Sequence, residues 1–168
     1  MILLLIFISF FVCYSILIIY YWQSWTSIPD FTASSEVNSV SVSIIVPARN
    51  EERNIGLLLE ALQKQSYPRE FFQIIVVDDH STDSTTEIVK DYPGVTLLKL
   101  EDDAINSYKK KAIEKGIAAA CGDLIITTDA DCMPPSTWLQ TLVSFKQQTN
   151  AAFIVAPVVF NCNAEIVQ

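Results

Sequence analysis

The sequence predicts an α/β fold with a mainly parallel sheet, preceded by one membrane-spanning helix. No charged side chain lies between Met1 and Asp30, which sets the N-terminal segment apart from the rest of the chain. After residue 40, short runs rich in β-branched residues alternate with segments of helical periodicity. This alternation is typical of parallel sheets covered by helices. Some of these runs are continuously apolar, as expected for strands buried on both faces.

The N-terminal segment is an apolar run from Ile2 to Trp22, long enough for a helix to cross a hydrocarbon layer of about 30 Å. Aromatic residues suited to the membrane interface lie at its end: Tyr20, Tyr21, Trp22 and Trp25. A cleaved signal peptide is the alternative, but neither a basic leading region nor a small-residue cleavage site is evident. We therefore predict an anchor over 1–22, a linker over 23–39 and one domain over 40–168.

The first strand of this domain is predicted from Val40 to Pro47, where the proline ends it. Asn50 is expected to cap the following helix, whose apolar stripe is Ile55, Leu58, Leu59 and Leu62. A second, fully buried strand follows from Phe71 to Val77. Ser84 to Glu87 has the pattern of a capping box at the start of a short helix, and Val95 to Leu100 is predicted to be the third strand.

The second half of the domain continues the alternation. A helix is predicted from Ser107 to Cys121, with Gly122 as its stop signal, and a fourth strand from Leu124 to Thr128. Pro135 opens a further helix, and Ala151 to Val155 resembles a fifth strand.

Composition excludes several classes of function. The net charge of −8 disfavours a nucleic-acid-binding surface. The four cysteines, Cys13, Cys121, Cys132 and Cys162, form no CxxC pair, which disfavours a zinc site and agrees with a reducing compartment. The four glycines cannot form GxGxxG or GxxxxGK, so a dinucleotide fingerprint and a P-loop are both absent from the sequence.

Polar side chains follow three of the predicted strands. The segments are Pro47 to Glu51, Asp78 to Asp83 and Asp129 to Asp131. Ligands of open α/β sheets bind outside the carboxyl ends of the strands, so we expect the three segments to converge on one crevice.

The acidic residues in two of these segments suggest chemistry. Asp129 and Asp131 can present two carboxylates to Mg²⁺ or Mn²⁺, although a solvated turn is the alternative. Asp78 and Asp79, followed by Asp83, offer acceptors for a base or a ribose. For Asp83, a simple helix cap remains the alternative.

Three blocks together resemble the N-terminal half of a family 2 glycosyltransferase: SIIVPARNEERNI from Ser43, IIVVDDHSTDST from Ile74 and KKKAIEKGIAAACGDLIITTDADC from Lys109. The resemblance implies the GT-A fold, a Rossmann-like, mostly parallel sheet with flanking helices. It also implies metal-dependent, inverting transfer of a sugar from a nucleotide-sugar, usually a UDP-sugar, to an acceptor hydroxyl. A glycan or lipid-linked acceptor and a role in cell-envelope glycan or glycolipid synthesis would follow.

The resemblance extends to single residues. The implied nucleotide-sugar-binding residues are Pro47, Arg49, Asn50, Glu51, Asp78, Asp79, Asp83, Lys109 and Asp129. Among these, Asp79 matches the residue that recognises the base, usually uracil. Asp129 and Asp131 match the DxD motif that binds the metal and the donor diphosphate. Tyr108 stands where the family usually has glycine before the lysine.

The catalytic base has no counterpart in the sequence. In the family it lies in a Glu-Asp motif well downstream of DxD, and here the one acidic residue after Asp131 is Glu165. We therefore expect the base beyond Gln168, with the chain being a donor-binding half cut short. An inactive nucleotide-binding remnant tethered to a membrane is the alternative.

Two other classes of α/β protein also carry acidic residues after their strands. A response-regulator receiver domain would begin at the acidic strand, whereas here a strand and a helix precede Asp78. A phosphatase of the haloacid-dehalogenase type would need Thr or Val at position 133, which is Met133. Both are disfavoured by these mismatches.

The predicted location is the inner (plasma) membrane, with the domain in the cytoplasm. Charge does not orient the anchor, because the first basic residue, Arg49, lies far beyond it. The cytoplasmic side is expected because nucleotide-sugars are cytosolic.

Overall fold

The structure, a computed structural model, describes residues 2–34, 40–101 and 108–158. The chain divides into two units, Met1–Thr32 and Ala33–Gln168. The first unit contains helix α1, Ile2–Thr26, which continues beyond Trp22. Within the described residues, it is the one helix long and apolar enough to cross a membrane.

The second unit is built on a parallel sheet. In the described part of the chain this sheet has four strands, β1 (Val42–Ala48), β2 (Phe72–Asp78), β3 (Val95–Lys99) and β4 (Leu124–Thr127). Their order is β3-β2-β1-β4, and every neighbouring pair is parallel. The predicted α/β fold is confirmed. The order also excludes the receiver-domain alternative, whose sheet runs 2-1-3-4-5.

Helices cover both faces of this sheet. They are α2 (Ile55–Gln63), α3 (Thr85–Lys90), α4 (Tyr108–Ala119) and α5 (Trp138–Thr149), and a single 3₁₀ turn, Arg69–Phe71, leads into β2. Alternate residues of a strand point to opposite faces. Ile44 accordingly belongs to the core that contains buried residues of α2, α3 and α5, whereas Ile45 belongs to the core that contains Ala112 of α4. β1 is therefore buried on both faces. The same holds for β2, as predicted, because Ile74 belongs to the first of these cores and Ile75 to the second.

The predicted helix caps are wrong in detail. Asn50 does not cap α2, because its φ is 55° and the helix begins only at Ile55. Ser84 does precede α3, but its side chain makes no capping hydrogen bond. The Thr85 N–H instead donates to the Asp83 carboxylate over 3.0 Å. A short polar side chain can bond to several nearby backbone groups, and sequence alone does not select among them.

Gly122 is not the stop signal of α4. The helix ends at Ala119, and the Gly122 N–H donates to the Ser43 hydroxyl over 2.8 Å. A Cβ at Gly122 would lie only 2.6 Å from the Ser43 nitrogen and 2.6 Å from the Val42 carbonyl carbon. The glycine is thus required by close packing of two backbones and not by a helix end.

The predicted fifth strand is not present. Residues 151–158 form no strand, and Phe153 and Val155 are 83% and 78% exposed. An apolar β-branched run becomes a strand only when it pairs with a neighbour, which sequence periodicity does not reveal. Tyr108 lies at the start of α4, but its side chain is not among the parts that the structure describes. Cys162, Glu165 and Gln168 also lie outside the described residues.

Candidate active site

A cleft of about 210 Å³ lies at the carboxyl ends of the strands. It is lined by Pro47, Ala48, Arg49, Glu51, Asp79, Lys109, Asp129, Ala130 and Asp131. These residues come from the segments after β1, β2 and β4 and from the start of α4. The expected convergence of three loops on one crevice is therefore observed.

The cleft lies where open α/β sheets bind their ligands. The chain leaves β1 towards β2 and β3 on one side and later returns to place β4 on the other side of β1. The strand order therefore reverses between β1 and β4, and ligands of such sheets bind at this switch point. Pro47 and Ala48 end β1, and Asp129 follows β4 closely, so both walls of the crevice carry cleft residues.

Asp79 is the buried acid of the cleft. It is only 6% exposed, and its backbone N–H donates to the carbonyl of Ala48 over 2.8 Å. The Arg49 guanidinium lies 3.7 Å from one carboxylate oxygen, and His80 Nδ1 lies 3.0 Å from the other. This contact between His80 and Asp79 joins two neighbouring residues, and the sequence pattern does not reveal it. The cleft thus holds one oriented carboxylate with a cation beside it.

The DxD segment, Asp129 to Asp131, also lines the cleft. Asp129 and Asp131 are exposed, whereas Ala130 between them is 3% exposed. The Cys132 N–H donates to the Asp129 carbonyl over 3.3 Å and closes a turn. The segment is therefore a turn, as the simpler alternative held, but one that places both aspartates on the cleft. In the sequence, this segment is recognisable by the small residue Ala130 between two aspartates.

Lys109 supplies a positive charge beside these acids. Its Nζ lies 2.7 Å from Asp129 Oδ1, and the two side chains are 63% and 56% exposed. Exposed ion pairs contribute about 1 kcal/mol or less, so the lysine can leave Asp129 at little cost. The ammonium group is thus placed to contact an anionic ligand as well as the aspartate.

Three of the predicted site residues are not in the cleft lining: Asn50, Asp78 and Asp83. Asp78 is 3% exposed, and its carboxylate accepts a 3.3 Å hydrogen bond from the Ser81 N–H. Asn50 accepts from the Thr82 N–H over 2.8 Å. The structure gives each of these three residues a hydrogen-bond partner in the protein.

Asp83 carries a lowered pKa. Partial removal from water would raise the pKa of Asp83, but hydrogen bonds from the Thr85 hydroxyl, the Thr85 N–H and the Glu52 N–H lower it below its ordinary value on balance. A carboxylate with a lowered folded-state pKa stabilises the fold above its unfolded pKa of about 3.9, and this contribution disappears as pH falls through the folded value.

A pH-dependent difference from Asp83→Asn is expected on this basis. The amide keeps one acceptor oxygen but lacks the second, so the variant should be less stable than wild type at neutral pH. The difference should shrink as pH falls below about 4, because the wild-type carboxyl then takes up a proton. Urea unfolding of both proteins between pH 3 and 7 measures it. A difference independent of pH would contradict the assigned hydrogen bonds.

The residues present fit a divalent metal only together with a ligand. Among the described residues, no group of three or more His, Cys, Asp or Glu side chains could hold a metal ion by itself. Mg²⁺ is commonly bound by one or two carboxylates together with substrate phosphates and water. Asp129 and Asp131, both on the cleft, meet that requirement.

The fold and the cleft together define a doubly wound α/β protein with an acidic cleft at its switch point. Residues 43–166 match the family model described as Glycosyl transferase family 2. The chain belongs to glycosyl transferase family 2.

Relatives with assigned names agree with this family. Glycosyltransferase AglE of Haloferax volcanii is 33% identical over 123 residues, which are 71% of this chain and 40% of AglE. A 4,4'-diaponeurosporenoate glycosyltransferase of Staphylococcus aureus strain bovine RF122 / ET3-1 is 40% identical over 96 residues, 56% of this chain and 24% of the relative. The chain thus spans less than half the length of these two curated relatives.

Solved structures with the same fold carry nucleotides. S. aureus TarS 1-349 has a TM-score of 0.60 and 30% identity, over 66% of this chain and 33% of TarS 1-349. The mannosyltransferase PcManGT of Pyrobaculum calidifontis, in complex with GDP-Man and Mn²⁺, has a TM-score of 0.62 and 28% identity, over 76% of this chain and 39% of its own. TarS 1-349 has been solved with UDP and with UDP-GlcNAc.

Proposed function

We propose that the cleft binds the nucleoside diphosphate of a nucleotide-sugar, and that the chain is the donor-binding part of an inverting glycosyltransferase. The observation that carries this proposal is the convergence of Asp79, Lys109 and the two DxD aspartates on one cleft at the switch point. Family membership supports it, because the cleft contains six of the nine positions that the resemblance matches to the family's donor site.

Each side of the cleft suits a different part of the donor. Asp79, held by Arg49 and His80, is an oriented acceptor for the N–H groups of a base. The UDP complex of TarS favours uracil, and the GDP-Man complex of PcManGT shows that the fold also accepts guanine. We infer a UDP-sugar as the donor, since the Asp79 match favours uracil.

The diphosphate belongs on the DxD side. Asp129 and Asp131 would hold Mg²⁺ or Mn²⁺, and the Mn²⁺ in PcManGT supports a divalent ion. When bound, such an ion neutralises the diphosphate and stabilises it as a leaving group. Lys109 contributes a further positive charge at the same place. These groups are needed because the chain has a net charge of −8 and would otherwise repel a diphosphate.

The remaining parts of the reaction lie outside the described cleft. The acceptor hydroxyl would attack the anomeric carbon in one displacement while a separate carboxylate takes its proton. We propose a glycan or lipid-linked acceptor in cell-envelope synthesis. We further propose that α1 anchors the protein in the plasma membrane, with the domain of residues 40–168 in the cytoplasm. The charge-free, apolar composition of α1 supports the anchor.

Thermal stabilisation by nucleotides tests the proposal. We expect UDP with Mn²⁺ to raise the melting temperature of the chain. UDP alone or Mn²⁺ alone should have a much smaller effect, because the diphosphate supplies ligands to the ion and the ion neutralises the diphosphate. At a ligand concentration 100 times the Kd, the gain is about 2.7 kcal/mol. GDP, CDP and ADP serve as comparisons. A folded chain that no nucleotide stabilises, with or without Mn²⁺, would contradict the proposed donor site.

A further inference from the structure

The loop after β1 and the loop after β2 are joined by hydrogen bonds that do not involve the sheet. The Asn50 N–H donates to the Ser81 hydroxyl over 3.0 Å. In return, the Thr82 N–H donates to Asn50 Oδ1 over 2.8 Å. Asn50 therefore bonds to the second loop through both its backbone and its side chain.

Three more bonds continue this connection. The Glu51 N–H donates to Thr85 Oγ1 over 2.8 Å, and the Glu52 N–H donates to Asp83 Oδ2 over 3.1 Å. The Ser84 N–H donates to Glu52 Oε2 over 3.2 Å. We call these five contacts the cross-loop bonds. All five pair a backbone N–H of one loop with a side chain of the other. Three of the N–H groups belong to the loop after β1 and two to the loop after β2, so the backbone of both loops is held.

The cross-loop bonds hold backbone conformations that are otherwise unfavourable. Asn50 has φ 55° and His80 has φ 56°, both in the left-handed region that most side chains avoid. Such residues persist where the surrounding structure determines them. Thr85, which closes the set, is fully buried.

Residues that line the cleft and residues that make the cross-loop bonds lie close together along the chain, and Glu51 does both. Arg49 and Glu51 line the cleft, whereas Asn50 between them does not. Asp79 lines the cleft, whereas Asp83 and Thr85 do not. The cross-loop bonds therefore fix the distance between the two loops, both of which carry residues that line the cleft. Arg49 of the first loop forms an ion pair with Asp79 of the second.

We propose that Asn50, Asp83 and Thr85 are positioning residues for nucleotide binding. They hold the Arg49 and Glu51 loop against the Asp79 loop, so that the base side of the cleft exists before the nucleotide arrives. Preorganisation of this kind raises affinity because less ordering is left to occur on binding. The proposal rests on the proposed function of the cleft, and it assigns Asn50 and Asp83 a role other than direct contact with the nucleotide.

Asn50→Gly is the most informative variant. Glycine accepts the positive φ at no steric cost, so the melting temperature should change little, but the Thr82 N–H and the Thr82 hydroxyl lose their shared acceptor. The affinity of the whole 168-residue chain, in detergent micelles, for UDP with Mn²⁺ should fall about three- to tenfold, because the hydrogen bonds to Asn50 Oδ1 are lost. Isothermal titration calorimetry well below the melting temperature measures this loss.

The chain offers a matched control at Asn150. This residue has φ 50° at the end of α5 and does not line the cleft. Asn150→Gly is therefore the same substitution in the same backbone conformation, and nucleotide affinity should stay within about twofold of wild type, since no bond at the cleft changes.

A second pair of variants tests the same bonds at Thr85. Thr85→Val removes the acceptor of the Glu51 N–H, and Thr85→Ser keeps it. We expect the valine variant to lose affinity and the serine variant to recover it. Hydrogen exchange should show faster exchange of the Thr82 amide in Asn50→Gly and of the Glu51 amide in Thr85→Val.

The outcomes separate this inference from the proposed function. If wild type binds the nucleotide and Asn50→Gly binds equally well despite faster Thr82 exchange, the positioning role is wrong. Unchanged exchange in both variants would also overturn it, because the bonds would then not hold the loops. If wild type binds neither UDP nor GDP with Mn²⁺, the proposed function fails, and this inference fails with it.

Discussion

Asp131→Ala is expected to abolish Mn²⁺-dependent binding of UDP while leaving the fold intact. Asp131 is exposed on the cleft, so its removal leaves no buried group without a partner. In the complete enzyme, the loss of one of the two carboxylates proposed to hold the metal should cost several kcal/mol of transition-state stabilisation, on the order of a thousandfold or more in sugar transfer. Calorimetric titration of UDP in the presence of Mn²⁺, together with circular dichroism, measures both parts of the prediction.

Asp91→Ala provides the control for this prediction. Asp91 follows α3, is exposed and does not line the cleft. The same change of charge and size there should leave Mn²⁺-dependent binding intact. Equal binding by wild type and Asp131→Ala would remove the metal role from the DxD segment.

Gly122→Ala is expected to cause a large loss of stability. The added Cβ would lie 2.6 Å from backbone atoms of both Val42 and Ser43, and 2.8 Å from the Ser43 hydroxyl that accepts the Gly122 N–H. Backbone of a central strand cannot move aside as a flexible side chain can. Overpacking costs typically about 1–3 kcal/mol, and loss of the hydrogen bond adds about 1 kcal/mol. Urea unfolding at neutral pH measures the sum.

Gly56→Ala is the matched comparison. There the added Cβ would meet the end of the Tyr92 side chain at 3.3 Å and Ile88 Cγ2 at 3.7 Å, and alanine favours the helix by up to about 1 kcal/mol. We expect the free energy of unfolding to change little or to rise. If both alanine variants were equally stable, the close approach of Gly122 to β1 would not be a constraint on the fold.

Most of the fold was predictable because it depends on apolar patterning. The continuous apolar run from Ile74 to Val77 predicts a strand that is buried on both faces. The structure places Ile74 and Ile75 in two separate cores, one on each face. The segment 151–158 shows the limit of this reasoning. Its apolar residues satisfy the pattern of a strand, but a strand also needs a neighbour to pair with, and pairing is not encoded in local periodicity.

The position of the site was predictable for a different reason. The carboxyl ends of parallel strands share one edge, so polar residues after β1, β2 and β4 must lie near each other. Side-chain partners were not predictable in the same way. Asn50 was expected to cap a helix and instead bonds to Thr82, and no pattern in the sequence indicated the contact between His80 and Asp79. These contacts join groups from loops whose backbone conformations the sequence does not specify.

The most direct measurement is a crystal structure of the protein with UDP and Mn²⁺, using the anomalous signal of manganese to locate the ion. We expect an ion coordinated by the DxD carboxylates and by the diphosphate, with the base against Asp79 on the opposite side of the cleft. An ion or a nucleotide bound elsewhere, with the cleft empty at saturating ligand, would contradict the assignment of this cleft as the donor site.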